Sequence, residues 1–347
     1  MKISRLSQRS VLTGALCALL SIFLPGPPAL SDVFFDEQQK AVLITGASTG
    51  IGRMTAERLA QAGYFVYAGA RKPADMDALN GIENVRAVRL DVTIQDDIDA
   101  AVKLIESEGR GLWGLVNNAG VNVIDPLIEA DEKDLQFLFD VNVYGVFRVT
   151  KAFAPMIIES GGRIVNISSI AGILSGGLTG YGMYVMSKHA LEAYTDQLAW
   201  ELAPLGVSVS AVEPGSFGTQ IGVSRCERML ANQGKKTYEY FAEAMKSYLD
   251  SCRERLEDDG GASAPPPVPV AEAIEHALFS RVPKEHYLVV SDPVEARITI
   301  GKAFEELIHL NFDHPHSFSR ADLIEMMDSE AAVIRGEKPR GMPGMAD

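Results

Sequence analysis

Residues 41–52 read AVLITGASTGIG, a short and almost wholly apolar run, Ala41–Thr45, that breaks at once into three glycines spaced Gly46-x-x-x-Gly50-x-Gly52. An apolar run of that length followed by the start of a helix is the pattern of a strand buried on both faces. The glycines between them have a chemical reason. A phosphate group bound at a helix N-terminus must approach the backbone N–H groups closely, and side chains at the crossing points would block it. Gly46, Ser48, Thr49, Gly50, Ile51 and Gly52 are therefore candidate ligand-binding positions, with Gly52 also letting the helix pack closely on the strand.

Outward from this loop, strand-like and helix-like segments alternate. Tyr64–Gly69, Val85–Leu90, Leu112–Val116, Arg163–Ile167, Val207–Val212 and His286–Val290 are further strand candidates. Between them, Asp96–Gly109 places Ile98, Ala101, Val102 and Ile105 on one helical face, and Asp131–Glu159 and Tyr184–Leu202 are two long helical patterns. Little polar alternation in the strands, each followed by a helix, predicts an α/β fold: a doubly wound, Rossmann-type parallel sheet of about seven strands with helices on both faces. After Pro214-Gly215 the rhythm breaks into a helical stretch, 216–262, that ends in the loop DGGASAPPPVP and is expected to form a cap. Val270–Phe279 and Ile298–Leu310 follow as helices, and a mobile tail is expected over 331–347.

The end of the second strand bears on the choice of cofactor. An acid there would hold the ribose hydroxyls of NAD; this chain has Arg71-Lys72 instead, and Arg71 can pair with a 2′-phosphate through two parallel hydrogen bonds. NADP(H) is expected over NAD(H). Further along, Tyr184 and Lys188 stand four apart at the start of a helix, on one face. A phenol with its pKa near 10 is a poor base at neutral pH, and an adjacent ammonium favours the phenolate, so the pair suits acid–base work at a carbonyl. Ser168 and Ser169 follow the strand Arg163–Ile167 and so fall at the sheet edge where open α/β folds bind ligands.

These segments together resemble the classical short-chain dehydrogenase/reductase family over roughly Lys40 to Val290. The supporting motifs are TGASTGIG, Leu90-Asp91-Val92, Asn117-Asn118-Ala119-Gly120, Asn142 in DVNVYG, the SS…YVMSK pair of segments and Pro214-Gly215. The resemblance implies a catalytic set of Tyr184 (proton donor or acceptor), Lys188 (ribose contact), Ser169 (substrate oxygen) and Asn142 (a relay water). It also implies cofactor contacts from Asp91, Val92, Asn118, Ala119, Gly120, Pro214, Gly215 and Thr219. One departure is that Ser169 lies 15 residues before Tyr184, against 12 to 14 in the family; Tyr181 has the usual spacing but no lysine four residues later. The long, aromatic- and methionine-bearing cap suits a bulky hydrophobic carbonyl or alcohol, the nearest resemblance being to hydroxysteroid and retinol dehydrogenases. A homo-oligomer through the two long helices is also implied. The alternative class is a non-catalytic NADP(H)-binding sensor on the same fold.

Composition sets the remaining bounds. A net charge of −14 with scattered Lys and Arg excludes a nucleic-acid partner. No metal site is expected, although His314 and His316 flank a proline. Residues 1–32 form a leader: Lys2, Arg5 and Arg9 precede the apolar run Val11–Leu24, then Pro25-Gly26-Pro27-Pro28. That layout suits a signal peptide, a membrane anchor or an organelle-targeting segment, or no leader at all if the start is misassigned and the protein cytoplasmic. The cysteines Cys17, Cys226 and Cys252 are read as free thiols, with pairing of Cys226 and Cys252 left open for an exported domain.

Overall fold

The computed structural model describes residues 39–257 and 264–338. The expected leader, the first half of the Gly- and Pro-rich loop and the end of the tail lie outside the described residues. In chain order the elements are β1 (Ala41–Ile44), α1 (Gly50–Gln61), β2 (Phe65–Ala70), α2 (Pro73–Asn80), β3 (Val85–Arg89), α3 (Gln95–Glu108), β4 (Gly114–Asn117), α4 (Glu132–Phe139), α5 (Val146–Glu159), β5 (Arg163–Ile167) and α6 (Gly182–Leu202). They continue as β6 (Ser208–Pro214), α7 (Gln220–Ala231), α8 (Ala242–Glu257), α9 (Val268–Phe279), β7 (His286–Val289), α10 (Pro293–Asn311) and α11 (Arg320–Ile334).

The seven strands form one sheet in the order β3-β2-β1-β4-β5-β6-β7, every neighbouring pair parallel. β1 shows why its sequence is apolar throughout. Val42 and Ile44 enter the core that includes Ala56 and Leu59 of α1 and Val270 and Ile274 of α9. Ala41 and Leu43 enter the opposite core with Ile98 and Ile105 of α3 and Phe153 and Ile157 of α5. The two-residue period of a strand sends alternate side chains to two cores, so neither set can be polar. Strand order reverses between β1 and β4, and the loops at their C-terminal ends part there to leave a cleft.

The single long helix expected over 131–159 is interrupted. Asp140–Gly145 is a π-helical turn joining α4 to α5. The wide turn buries Val141, Asn142 and Gly145 together, and Gly145 lies so close to Val92 that an added Cβ would come within 2.6 Å of its methyl. The free-thiol reading is also corrected: Cys226 of α7 and Cys252 of α8 are both buried and joined by a disulfide that ties the two cap helices together. Among the described residues no helix is long and apolar enough to cross a membrane.

Phe153 is fully buried in the α3/α5 core. Phe153→Ala is expected to cost about 3–5 kcal/mol of unfolding free energy, measured by urea denaturation; a loss under about 1 kcal/mol would mean that this face is not a close-packed core.

Candidate active site

The cleft is walled on one side by the glycine loop. Gly46 and Gly50 have φ of 63° and 56°, backbone that side chains rarely adopt. A Cβ on Gly46 would meet Ala119 Cα at 2.9 Å. Gly52 stands back from the cleft, and its reason differs from the expected helix–strand packing: an added Cβ would lie 2.4 Å from Asn118 Nδ2 and 2.5 Å from the Gly46 carbonyl. Asn118 donates from Nδ2 to the carbonyls of Thr45 and Gly46 at 2.9 and 3.0 Å. In return the Thr45 hydroxyl accepts from the backbone N–H groups of Asn118 and Ala119 at 3.0 and 2.9 Å. The loop after β1 and the loop after β4 are thus one hydrogen-bonded unit across the strand reversal.

Gly46, Ser48, Thr49, Gly50, Ile51, Arg71, Asp91, Val92, Asn118, Ala119, Gly120, Ser169, Tyr184, Lys188, Pro214, Gly215 and Thr219 all line this one cleft, of about 360 Å³. The glycine cradle at a helix N-terminus fits a dinucleotide pyrophosphate. At one end, the exposed guanidinium of Arg71 lies 3.6 Å from Asp91. Burial acts to raise the Asp91 pKa, but hydrogen bonds from Thr93 and the Arg71 charge outweigh it and hold the carboxylate below its usual range.

At the other end, α6 presents Tyr184 and Lys188 one turn apart. Burial pushes the Tyr184 phenol up to about 12, against a hydrogen bond with Ser169 that favours its ionised form. Burial brings the Lys188 ammonium down to about 8, with the Glu192 carboxylate pulling the other way, and Nζ donates to the Ile167 carbonyl at 2.8 Å. The expectation that Lys188 lowers the phenol pKa is therefore not met by the protein's own atoms: Nζ is 5.7 Å from the Tyr184 ring centre and desolvation dominates. The unusual spacing between Ser169 and Tyr184 is absorbed in the intervening loop, where Gly176, Gly177 and Gly180 take φ of 82°, 84° and 85°. Tyr181, the other tyrosine weighed for the role, accepts a hydrogen bond from Arg225 of α7 instead.

Asn142 does not line the cleft. Its amide is buried, accepting from Val121 N at 2.8 Å and donating to Val121 O at 2.9 Å and Ser187 Oγ at 3.1 Å. Its side chain clamps the Val121 wall. Sequence reasoning missed several lining residues, among them Phe217, Gln220, Ile221, Arg225 and Arg228 of the cap. It also missed Glu192, four residues beyond Lys188 on the same face of α6, a spacing that was legible. Glu192, Glu213 and His286 bring ligand-type atoms within 4.8 Å of one another. His286 ties them into an ion-pair cluster, with Nδ1 2.7 Å from Glu213 and Nε2 3.0 Å from Asp196.

The short chain dehydrogenase family pattern matches residues 40–229. The chain belongs to this family. It is 33% identical over 263 residues to the mitochondrial D-beta-hydroxybutyrate dehydrogenase of Bos taurus, covering 72% of this chain and 76% of that protein. It is 36% identical over 260 residues to retinol dehydrogenase 7 of Rattus norvegicus, covering 72% and 80%. Among solved structures, a short chain dehydrogenase/reductase from Burkholderia phymatum in complex with NAD superposes with a TM-score of 0.64 at 25% identity, over 82% of this chain and 100% of that one. An actinorhodin polyketide ketoreductase with NADPH gives a TM-score of 0.58 at 27% identity, over 73% and 95%. The protein is an oxidoreductase acting on an alcohol or carbonyl with NAD or NADP.

Glu192 carries a pH prediction. Burial first, then the neighbouring Glu213, raises its pKa to about 7 from 4.5. An acid raised on folding costs stability once ionised, so the cost begins as pH climbs past the unfolded value and is complete above about 7. Glu192→Gln is expected to raise the melting temperature by about 3 °C at about pH 8 and to leave it unchanged near pH 4; equal shifts at both pH values would show that ionisation is not the cause.

Proposed function

We propose that the enzyme is NADP(H)-preferring and interconverts a ketone or aldehyde with an alcohol on a substrate that has a sizeable apolar body. The observation that carries this reading is the meeting of Tyr184, Ser169 and Lys188 at the C-terminal edge of the sheet, beside the glycine-walled cleft. The bound nicotinamide supplies or accepts the hydride. Ser169 holds the substrate oxygen beside the phenol. With its pKa pushed up to about 12, Tyr184 is neutral at physiological pH, so it gives its proton to that oxygen during reduction and takes it back during oxidation. Lys188, fixed on the Ile167 carbonyl, holds the ribose end of the cofactor.

Two features support NADP(H). The guanidinium of Arg71 is exposed at the end of β2, and Arg228 of α7 stands close enough for the two charges to repel, which a 2′-phosphate between them would relieve. The apolar lining from Val121, Val141, Phe217 and Ile221 supports an apolar substrate body. Of the relatives, the one named for retinol acts on a substrate with such a body, while the one named for hydroxybutyrate acts on a small hydroxy acid.

The same reading includes a homo-oligomer through α4–α5 and α6, supported by the exposed Tyr144, Phe147 and Met186. It also includes a precursor exported or held at a membrane by residues 1–31, supported by the Cys226–Cys252 disulfide, since such bonds persist in oxidising compartments.

The test is NADPH oxidation by the full chain against apolar ketones and aldehydes. Tyr184→Phe is expected to lower kcat by about 1,000-fold with the NADPH Kd changed less than about threefold; equal turnover would refute the assignment. Arg71→Leu is expected to raise the KM for NADPH about 30-fold and that for NADH less than about threefold; equal effects on both would remove the basis for the preference.

A further inference from the structure

Resting on that reading, we infer that the substrate carries a carboxylate, bound by Arg225 at the cap side of the cleft. The charge balance of the cleft prompts this. In a chain of net charge −14, the cleft is lined by Arg71, Lys188, Arg225 and Arg228, with Asp91 as its one acid among the described residues. Arg71 pairs with Asp91, Arg228 lies within electrostatic range of Asp134 and Arg71, and Lys188 is fixed on the Ile167 carbonyl. Arg225 is left over at the end where the chemistry takes place.

Its surroundings are those of a cation waiting for an anion. Arg225 is half-buried, and among the described residues no carboxylate lies within ion-pair distance of it. Nη1 donates to the hydroxyl of Tyr181, and Nε is sealed from solvent without an acceptor. A partly desolvated guanidinium whose only side-chain partner among the described residues is a phenol is costly, and a carboxylate offers the charge-matched acceptor it lacks. One guanidinium matches one monoanion, which favours a carboxylate over a phosphate ester.

Arg225 is also held in place and within reach of the reaction. Its neighbour Cys226 is bonded to Cys252 of α8, and Tyr181 packs 6.0 Å from Tyr248 of α8. Arg225 is thus braced from both sides of the cap hairpin. Burial sets the high pKa of Tyr184, and the Arg225 charge opposes it, so the guanidinium is near enough to act on the phenol. A carboxylate on Arg225 and a carbinol on Tyr184 and Ser169 would sit on one molecule, with its apolar segment against Phe217 and Ile221. The class is a hydroxy or oxo acid with an apolar chain.

The experiment uses matched pairs, medium-chain hydroxy acids with the hydroxyl at C3 to C6 and their methyl esters, oxidised by the full chain with NADP+ and NAD+. The wild type is expected to prefer at least one acid over its ester by about tenfold in kcat/KM, and Arg225→Met is expected to bring that ratio to about one. Arg225→Lys, which keeps the charge but not the fork, is expected to restore part of it. Independently of turnover, octanoate is expected to raise the melting temperature of the NADPH-loaded wild type while octanamide does not, and Arg225→Met is expected to abolish the difference.

Esters and acids used alike, or octanoate and octanamide binding alike, would overturn the inference while leaving the proposed reaction intact. A fall in NADPH affinity on Arg225→Met with the acid preference preserved would assign Arg225 to the cofactor instead. Octanoate selectivity without any turnover would keep the anion site and count against the reaction.

Discussion

The arrangement depends on one exchange of hydrogen bonds across the strand reversal. Thr45 follows β1 and Asn118 follows β4; each side chain satisfies the backbone of the other's loop. These loops sit where backbone groups have left the sheet ladder and need partners. Pairing them with each other fixes the width of the cleft and brings Gly52 against the Asn118 amide so closely that no Cβ fits. The same constraint continues into the next wall, where the buried Asn142 amide holds Val121 by both its N–H and its carbonyl. That amide is buried in the π turn between α4 and α5.

Desolvation governs the chemistry at the far end of the cleft more than charge pairing does. It raises the Tyr184 phenol and the Glu192 carboxylate and lowers the Lys188 ammonium, each toward its neutral form. A neutral phenol beside a serine hydroxyl is prepared to donate a proton. A desolvated ammonium is prepared to gain when ribose hydroxyls enter, because their arrival replaces lost hydration.

Much of this was legible because the sequence states it locally. The buried strands followed from AVLIT and its counterparts, and β5 has the expected bounds, Arg163–Ile167. The cleft residues followed from the glycine spacing and from Tyr184 and Lys188. What was not legible depended on long-range packing. Nothing around Asp140 marks a π turn, whose buried side packs on Val92 and Val121 from distant segments. The disulfide joins residues 26 apart on separate helices, a pairing that spacing alone does not single out. Arg225 looked like one of many scattered cations until the cap folded over the cleft. By contrast the start of α11 is written locally, in the capping box that Ser319-Arg-Ala-Asp322 spells, although its apolar residues mark no single face.

The most direct test of this account is the affinity of Thr45→Val for NADPH and NADH, measured by fluorescence titration alongside the melting temperature. The substitution conserves volume and removes the hydroxyl that accepts from Asn118 and Ala119. Both dissociation constants are expected to rise by at least about tenfold while the protein stays folded, because the Ala119 N–H loses its acceptor and the Asn118 N–H keeps only the Val116 carbonyl. Unchanged affinity in a folded variant would contradict it, and the cleft would have to owe its shape to the glycines alone.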